Sequence, residues 1–329
     1  MWTVRPGPEP LSGPAYPERM TEPDANSRPS WRGLLLAGAA LVWMAAMLWA
    51  ARATITGRTD AEMEVTSTAY ALPGAISAAL VAGAAAALTA VGLIAARRSL
   101  GSTARFLVAI GAGLVIGLLG ALVIFTINTE GWVYAVVAGT VAAAATIGGA
   151  LGGFRQPRVV ASVCWAAIAV FLIGALLNLK GVQSPLLDAL TSGDGPAARA
   201  SAASWFTFGQ SLISGIAAGL ITYGVLRRAR RDGENVAWPL YALAGAGPGL
   251  LLVVTEGLTR TTGARVLDLA GKVSELELTV QRILGGARLN SALIILFAGA
   301  ITAVIAVGRT MKPATDDADE PDAAAVAAD

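Results

Sequence analysis

The chain has 329 residues, of which 55% are hydrophobic and only 14% charged, with a formal net charge of +2. Soluble domains carry about 25% charged residues, so this composition belongs in lipid, and the mean hydropathy of +0.63 agrees. With no histidine and a single cysteine, the chain excludes histidine-held haem, histidine-based zinc sites, Ser-His-Asp and Cys-His nucleophilic pairs, and any intrachain disulfide.

In chain order, residues 1–31 are rich in Pro, Gly and Ser and are expected to form a disordered cytoplasmic tail, within which Met20 is a second candidate start. Eight apolar runs follow: Gly33 to Ala51, Tyr70 to Ala96, Phe106 to Ile127, Trp132 to Gly153, Val159 to Leu179, Trp205 to Leu226, Trp238 to Thr255 and Leu289 to Gly308. A helix rising about 1.5 Å per residue needs about 20 residues to cross roughly 30 Å of hydrocarbon, and these runs match that length. The expected fold is an all-α, polytopic membrane bundle of about eight transmembrane helices over residues 32–312. The first run ends in Trp49 and Arg52 rather than in a small-residue cleavage motif, which argues for a retained span over a signal peptide. The acidic, alanine-rich segment 313–329 reads as a second disordered cytoplasmic tail.

Basic residues set the orientation. Of the 24 lysines and arginines, 15 fall at the two ends and at every second junction, at Arg97, Arg98 and Arg105, Arg155 and Arg158, and Arg227 to Arg231. The other nine lie at the alternate junctions, five of them in the last loop before the final span, at Arg260, Arg265, Lys272, Arg282 and Arg288. The positive-inside rule then places both termini in the cytoplasm of a bacterial cell, with the chain in its cytoplasmic membrane. Trp31 and Trp238 fall at inner boundaries, and Trp49, Tyr70, Trp132 and Trp205 at outer ones, where amphipathic rings favour the headgroup region.

The two halves, 33–153 and 159–308, resemble each other. Gly111-Ala112-Gly113 matches Gly245-Ala246-Gly247, Thr129-Glu130-Gly131 matches Thr255-Glu256-Gly257, and Ala138-Gly139 matches Ala298-Gly299. Four spans per half would make a duplication parallel, about an axis along the membrane normal.

Glycines four apart recur at Gly113 and Gly117, Gly148 and Gly152, Gly149 and Gly153, Gly215 and Gly219, and Gly245 and Gly249, a spacing that lets helix backbones approach closely. Pro248 removes a backbone donor inside a span, which makes a static bend or a broken helix at a solute site. Glu130 and Glu256 are boundary carboxylates, read as solvated residues or as part of a cation or solute site. Asn178, Gln210 and Ser211 are expected to hydrogen-bond between helices, Cys164 to be a small core residue, and Gly285-Gly286 to form a flexible joint. Asp60, Glu62 and Glu64, in the first outer loop, are the carboxylates a membrane transferase would use.

Over about 264–284, Val266, Leu269, Val273, Leu276, Val280 and Ile283 recur at spacings of three and four, an amphipathic helix on the outer side. Its stripe would pack on its own bundle, or bind another copy or a different membrane protein. The bilayer is the expected partner of the rest, with no nucleic acid, no cofactor and no GxxxxGK[ST] loop for ATP. Three functions fit: a transporter-like or permease-like bundle for a small or lipid-like solute, a non-catalytic scaffold assembling through the outer helix, or a membrane-embedded transferase. The first is favoured on sequence, and a catalytic role is the weakest.

Overall fold

Peptide groups in lipid have no water to bond, so each apolar run closes its hydrogen bonds within a helix. The computed structural model describes residues 31–56, 61–126, 132–193, 195–233, 236–264, 266 and 275–310. Over those residues the elements are helices, with no strand: α1 (Trp31–Thr56), α2 (Ala61–Ala95), α3 (Ser102–Phe125), α4 (Trp132–Gly152), α5 (Pro157–Leu177), α6 (Lys180–Leu190), α7 (Pro196–Arg231), α8 (Trp238–Thr261) and α9 (Glu275–Gly308). All except the short α6 are long and apolar enough to cross a membrane. The eight expected spans are therefore present, and the fold is a polytopic helical bundle. α6 is an addition, in a stretch expected to be loop.

The helices outrun the spans that hydropathy marks. α2, α7 and α9 have 35, 36 and 34 residues, about 50 Å each, so each projects roughly 20 Å beyond the hydrocarbon. Alanine, glutamate, leucine and arginine favour helix on either side of a membrane boundary, so polar residues that end a span do not end the helix. Glu62 and Glu64, expected in the first loop, fall on the N-terminal extension of α2, and Asp60 lies outside the described residues. Gly285 and Gly286 are not a joint, because α9 runs through both. α2 and α9 outrun their apolar runs at the N-terminal end and α7 at both ends; the three N-terminal extensions lie at one face, here termed distal, and Trp31 and Gly308 lie at the other.

The halves pack in the same helix order. In the first, α2 packs on α1, α3 and α4, and α3 on α4; in the second, α7 packs on α5, α8 and α9, and α8 on α9. Each half centres on one carbonyl. The Ala145 carbonyl of α4 faces Gly83 of α2 and Gly113 of α3; the Gly299 carbonyl of α9 faces Gly219 of α7 and Gly245 of α8. A Cβ at Gly113 would sit 2.5 Å from the Ala145 oxygen, and one at Gly219 2.6 Å from the Gly299 oxygen, so only glycine admits this approach. Gly117 then meets Ala142, and Gly249 meets Leu296, keeping the register for another turn.

This register corrects the sequence matches. Gly113 packs as Gly245 does, two residues out of step with the GAG alignment, and Ala145 rather than Gly139 holds the place of Gly299. In glycine-rich helices short identities recur by composition, whereas backbone contact fixes one register. The interface between halves lacks the same symmetry, since α2 packs on α8 but α7 does not pack on α3. One core cluster joins the halves, containing Leu80, Val81 and Val141 with Cys164, Ile168 and Leu251. Cys164 is buried there, as the sequence suggests.

Candidate functional site

α8 carries Glu256 one turn before its distal end, and there the structure departs most from expectation. Glu256 is 4% exposed rather than solvated. Its Oε1 accepts a hydrogen bond from Arg260 Nε at 2.8 Å, one helical turn on, and its Oε2 accepts one from Arg288 Nε of α9 at 3.0 Å. The carboxylate lies over Gly285, where a Cβ would come within 2.9 Å of Oε1 and 3.1 Å of Arg260 Nη2. Two cations on one carboxylate leave the group with an excess of one positive charge, and both carboxylate oxygens are engaged. The arrangement is a strap between α8 and α9.

The i, i+4 spacing of Glu256 and Arg260 is a sequence signal for this pair, although the apolar runs place Arg260 in the last loop. The convergence of Arg288 and Gly285 was missed, because both were assigned to a loop and a joint. Glu130, the sequence's partner to Glu256, lies outside the described residues. Pro248 is buried within α8, which continues unbroken from Trp238 to Thr261. The structure does not bring Pro248 to Glu256. Asn178 Nδ2 donates to Gly174 O at 2.8 Å and Ser211 Oγ to Thr207 O at 2.8 Å, so both bond within their own helices and not across them. Gln210 leans over Gly174 of α5.

The midplane between the halves is filled. Trp43 of α1 stacks on Phe171 of α5 with ring centroids 4.7 Å apart and planes at 25°, and Val163 of α5 lies against Gly247 of α8. A cavity of about 20 Å³, room for about one water, lies within the first half near the distal face, lined mainly by Leu48, Leu72, Ile124, Tyr134 and Val137.

The predicted amphipathic stripe divides. Val266 is fully buried in the core cluster, and Gly263 beside it lies against Leu72 of α2. Leu269 and Val273 lie outside the described residues. Leu276 and Ile283 are 72% and 65% exposed and Val280 half-buried, because α9 turns a different face, Gln281 and Gly285, to its own bundle. Leu276 and Ile283 therefore do not pack inward.

The chain matches no protein-family model, no curated protein and no solved structure. Its eight long apolar helices make it a multi-pass membrane protein.

Proposed function

We propose that the protein is a membrane-embedded assembly component whose distal helical extension binds a partner helix. One observation carries this reading: Leu276 and Ile283 are exposed on the part of α9 that precedes Arg288 and the apolar run Leu289 to Gly308. Arg288 precedes the apolar run of the final span, so Ile283 stands roughly 8 Å and Leu276 roughly 18 Å beyond that level. The headgroup layer extends only about 5–8 Å past the hydrocarbon, so Leu276 lies clear of lipid. An apolar stripe at heptad spacing outside the bilayer suits helix pairing. The ring stacking that fills the midplane supports a static bundle over a solute path.

The experiment is photo-crosslinking from position 283 in native membranes, with the double variant Leu276→Asp and Ile283→Asp as comparison. The expected result is a higher-mass adduct whose partner is lost to the double variant. A chain that stays uncrosslinked would end the proposal.

The matching halves favour the solute-carrying reading, since parallel repeats related by an axis along the membrane normal occur in transporters. Its test is solute-driven swelling of proteoliposomes with and without the protein. For either role we place the chain in the cell membrane with both termini cytoplasmic. Arg97, Arg98, Arg155, Arg158 and Arg227 to Arg231 at the end-bearing face support that orientation, as does the neutralisation of a distal charge by Glu256.

A further inference from the structure

We infer that the partner of the α9 stripe is a second copy of this chain, the two α9 helices pairing in parallel with Asn290 facing Asn290 near the axis between them. This rests on the assembly reading above and names its partner. The heptad register set by Leu276, Val280 and Ile283 continues down the helix through Ala287, Asn290, Ile294, Phe297, Ile301 and Val304. Leu276, Ile283, Ala287, Asn290, Phe297, Ile301 and Val304 are exposed, and Val280 and Ile294 are half-buried. The residues that α9 buries against its own bundle, among them Gly285, Ala292, Ile295, Gly299 and Ala303, occupy the opposite side.

The chemistry along this stripe is inverted with respect to its surroundings. Above the level of Arg288, where headgroups and water would favour polar side chains, it carries Leu276 and Ile283. At the hydrocarbon edge, two residues inside Arg288, it carries an amide. Neither water above nor acyl chains below suits it, whereas a parallel copy suits both. Aliphatic side chains then meet at the a and d positions, and the two amides, each a donor and an acceptor, satisfy one another.

Two copies inserted with the same topology are already parallel, and a twofold axis along the membrane normal brings identical residues together. Of the flanking e and g positions over residues 276–287, Thr279, Leu284 and Gly286 are uncharged and Glu277 is the one charge; an e position faces a g position across a parallel seam, so self-pairing does not set Glu277 against itself. A foreign acidic partner would find no cation in those positions to select it.

The experiment uses the full chain in a Cys164→Ala background, reconstituted in lipid bilayers at high dilution. Ile283→Cys and Leu276→Cys should form disulfide-linked dimers under mild oxidation, while Arg282→Cys, one position off the seam, should give at least fivefold less. Asn290→Val should lower the dimer fraction several-fold. Should the cysteine variants misfold, step-counting of photobleaching on singly labelled native chain supplies the same readout, with two steps expected. An adduct at position 283 with a different protein and no self-adduct would overturn self-pairing and leave the assembly reading standing. No adduct of either kind, with single-step bleaching, would overturn both.

Discussion

Arg288 and Glu256 meet at 3.0 Å from positions 32 residues apart, and with Arg260 they tie the distal ends of α8 and α9. The carboxylate is shielded while the arginine side chains keep 50% and 31% of their surface exposed, so the strap is stronger than a surface pair and weaker than a fully buried one. Glu256→Gln leaves two guanidinium groups with a poorer acceptor and an uncompensated charge. The expected loss is about 1–2 kcal/mol, between the values for exposed and buried pairs, read as a lowered melting temperature in detergent micelles. An Arg288→Gln variant should lose a similar amount, and the double variant less than the sum of the two. Full additivity would mean the groups do not interact.

Gly285 and Gly286 are neighbours in one helix with opposite expectations. A methyl group at Gly286 meets nothing within 4 Å, so Gly286→Ala should stabilise by about 0.5–1 kcal/mol through helix propensity alone. Gly285→Ala gains the same propensity but pushes the Glu256 carboxylate from its place, and should be destabilising on balance. In a Glu256→Ala background the penalty should vanish and Gly285→Ala become stabilising. Thermal melting of the four variants decides it, and equal behaviour of the two alanine substitutions would remove the cradle from the account.

The spans and their alternation were legible because lipid imposes one requirement, an unbroken apolar run of fixed length, and Leu, Val, Ala and Ile satisfy it visibly. Helix ends were not, since Ala61 to Ala69 and Glu275 to Arg288 lie beyond the apolar runs of the sequence, where hydropathy stops reporting and helix propensity continues. The glycine pairs were correctly read as contact faces, yet their register was not, because spacing says which residues share a face and nothing about what meets them. Glu256 was recognised as an unusual charge. Its burial depended on Arg288, 32 residues away, and no local pattern announces such a partner. The stripe from Val266 to Ile283 shows the same limit: periodicity marked an apolar face, and only packing shows that Val266 goes inward while Leu276 goes out.

The glycine–carbonyl junctions should respond alike in the two halves. Gly113→Ala drives a methyl to 2.5 Å from the Ala145 oxygen and 2.7 Å from Gly149 Cα, and Gly245→Ala meets the Gly299 carbonyl and the Ala303 methyl in the same way. Both partners include backbone, so the helices must part, and each variant should lose about 1–3 kcal/mol, as overpacked cores do. Gly111→Ala, with nothing within 4 Å, is the matched control and should be neutral or slightly stabilising. Melting in micelles reports the difference. A tolerant Gly245 beside an intolerant Gly113 would contradict the shared register.

Trp43 offers the sharpest probe of the filled midplane. Its ring stacks on Phe171, it is 7% exposed, and its indole N–H has no hydrogen-bond partner. An orphaned buried donor costs about 1–3 kcal/mol, while the ring contributes apolar burial and stacking. The two can be separated. Trp43→Phe keeps an aromatic on Phe171 and removes the orphan donor, so the smaller ring's lost contacts are offset and stability should stay within about 1 kcal/mol of native. Trp43→Ala removes the ring and opens a cavity between α1 and α5, with a loss of about 3–5 kcal/mol. Denaturation in mixed micelles, followed by far-ultraviolet circular dichroism, measures both. If Trp43→Ala instead melts like the native protein, the midplane between the halves is not the tightly packed joint that the ring stacking implies, and the solute-carrying reading regains ground.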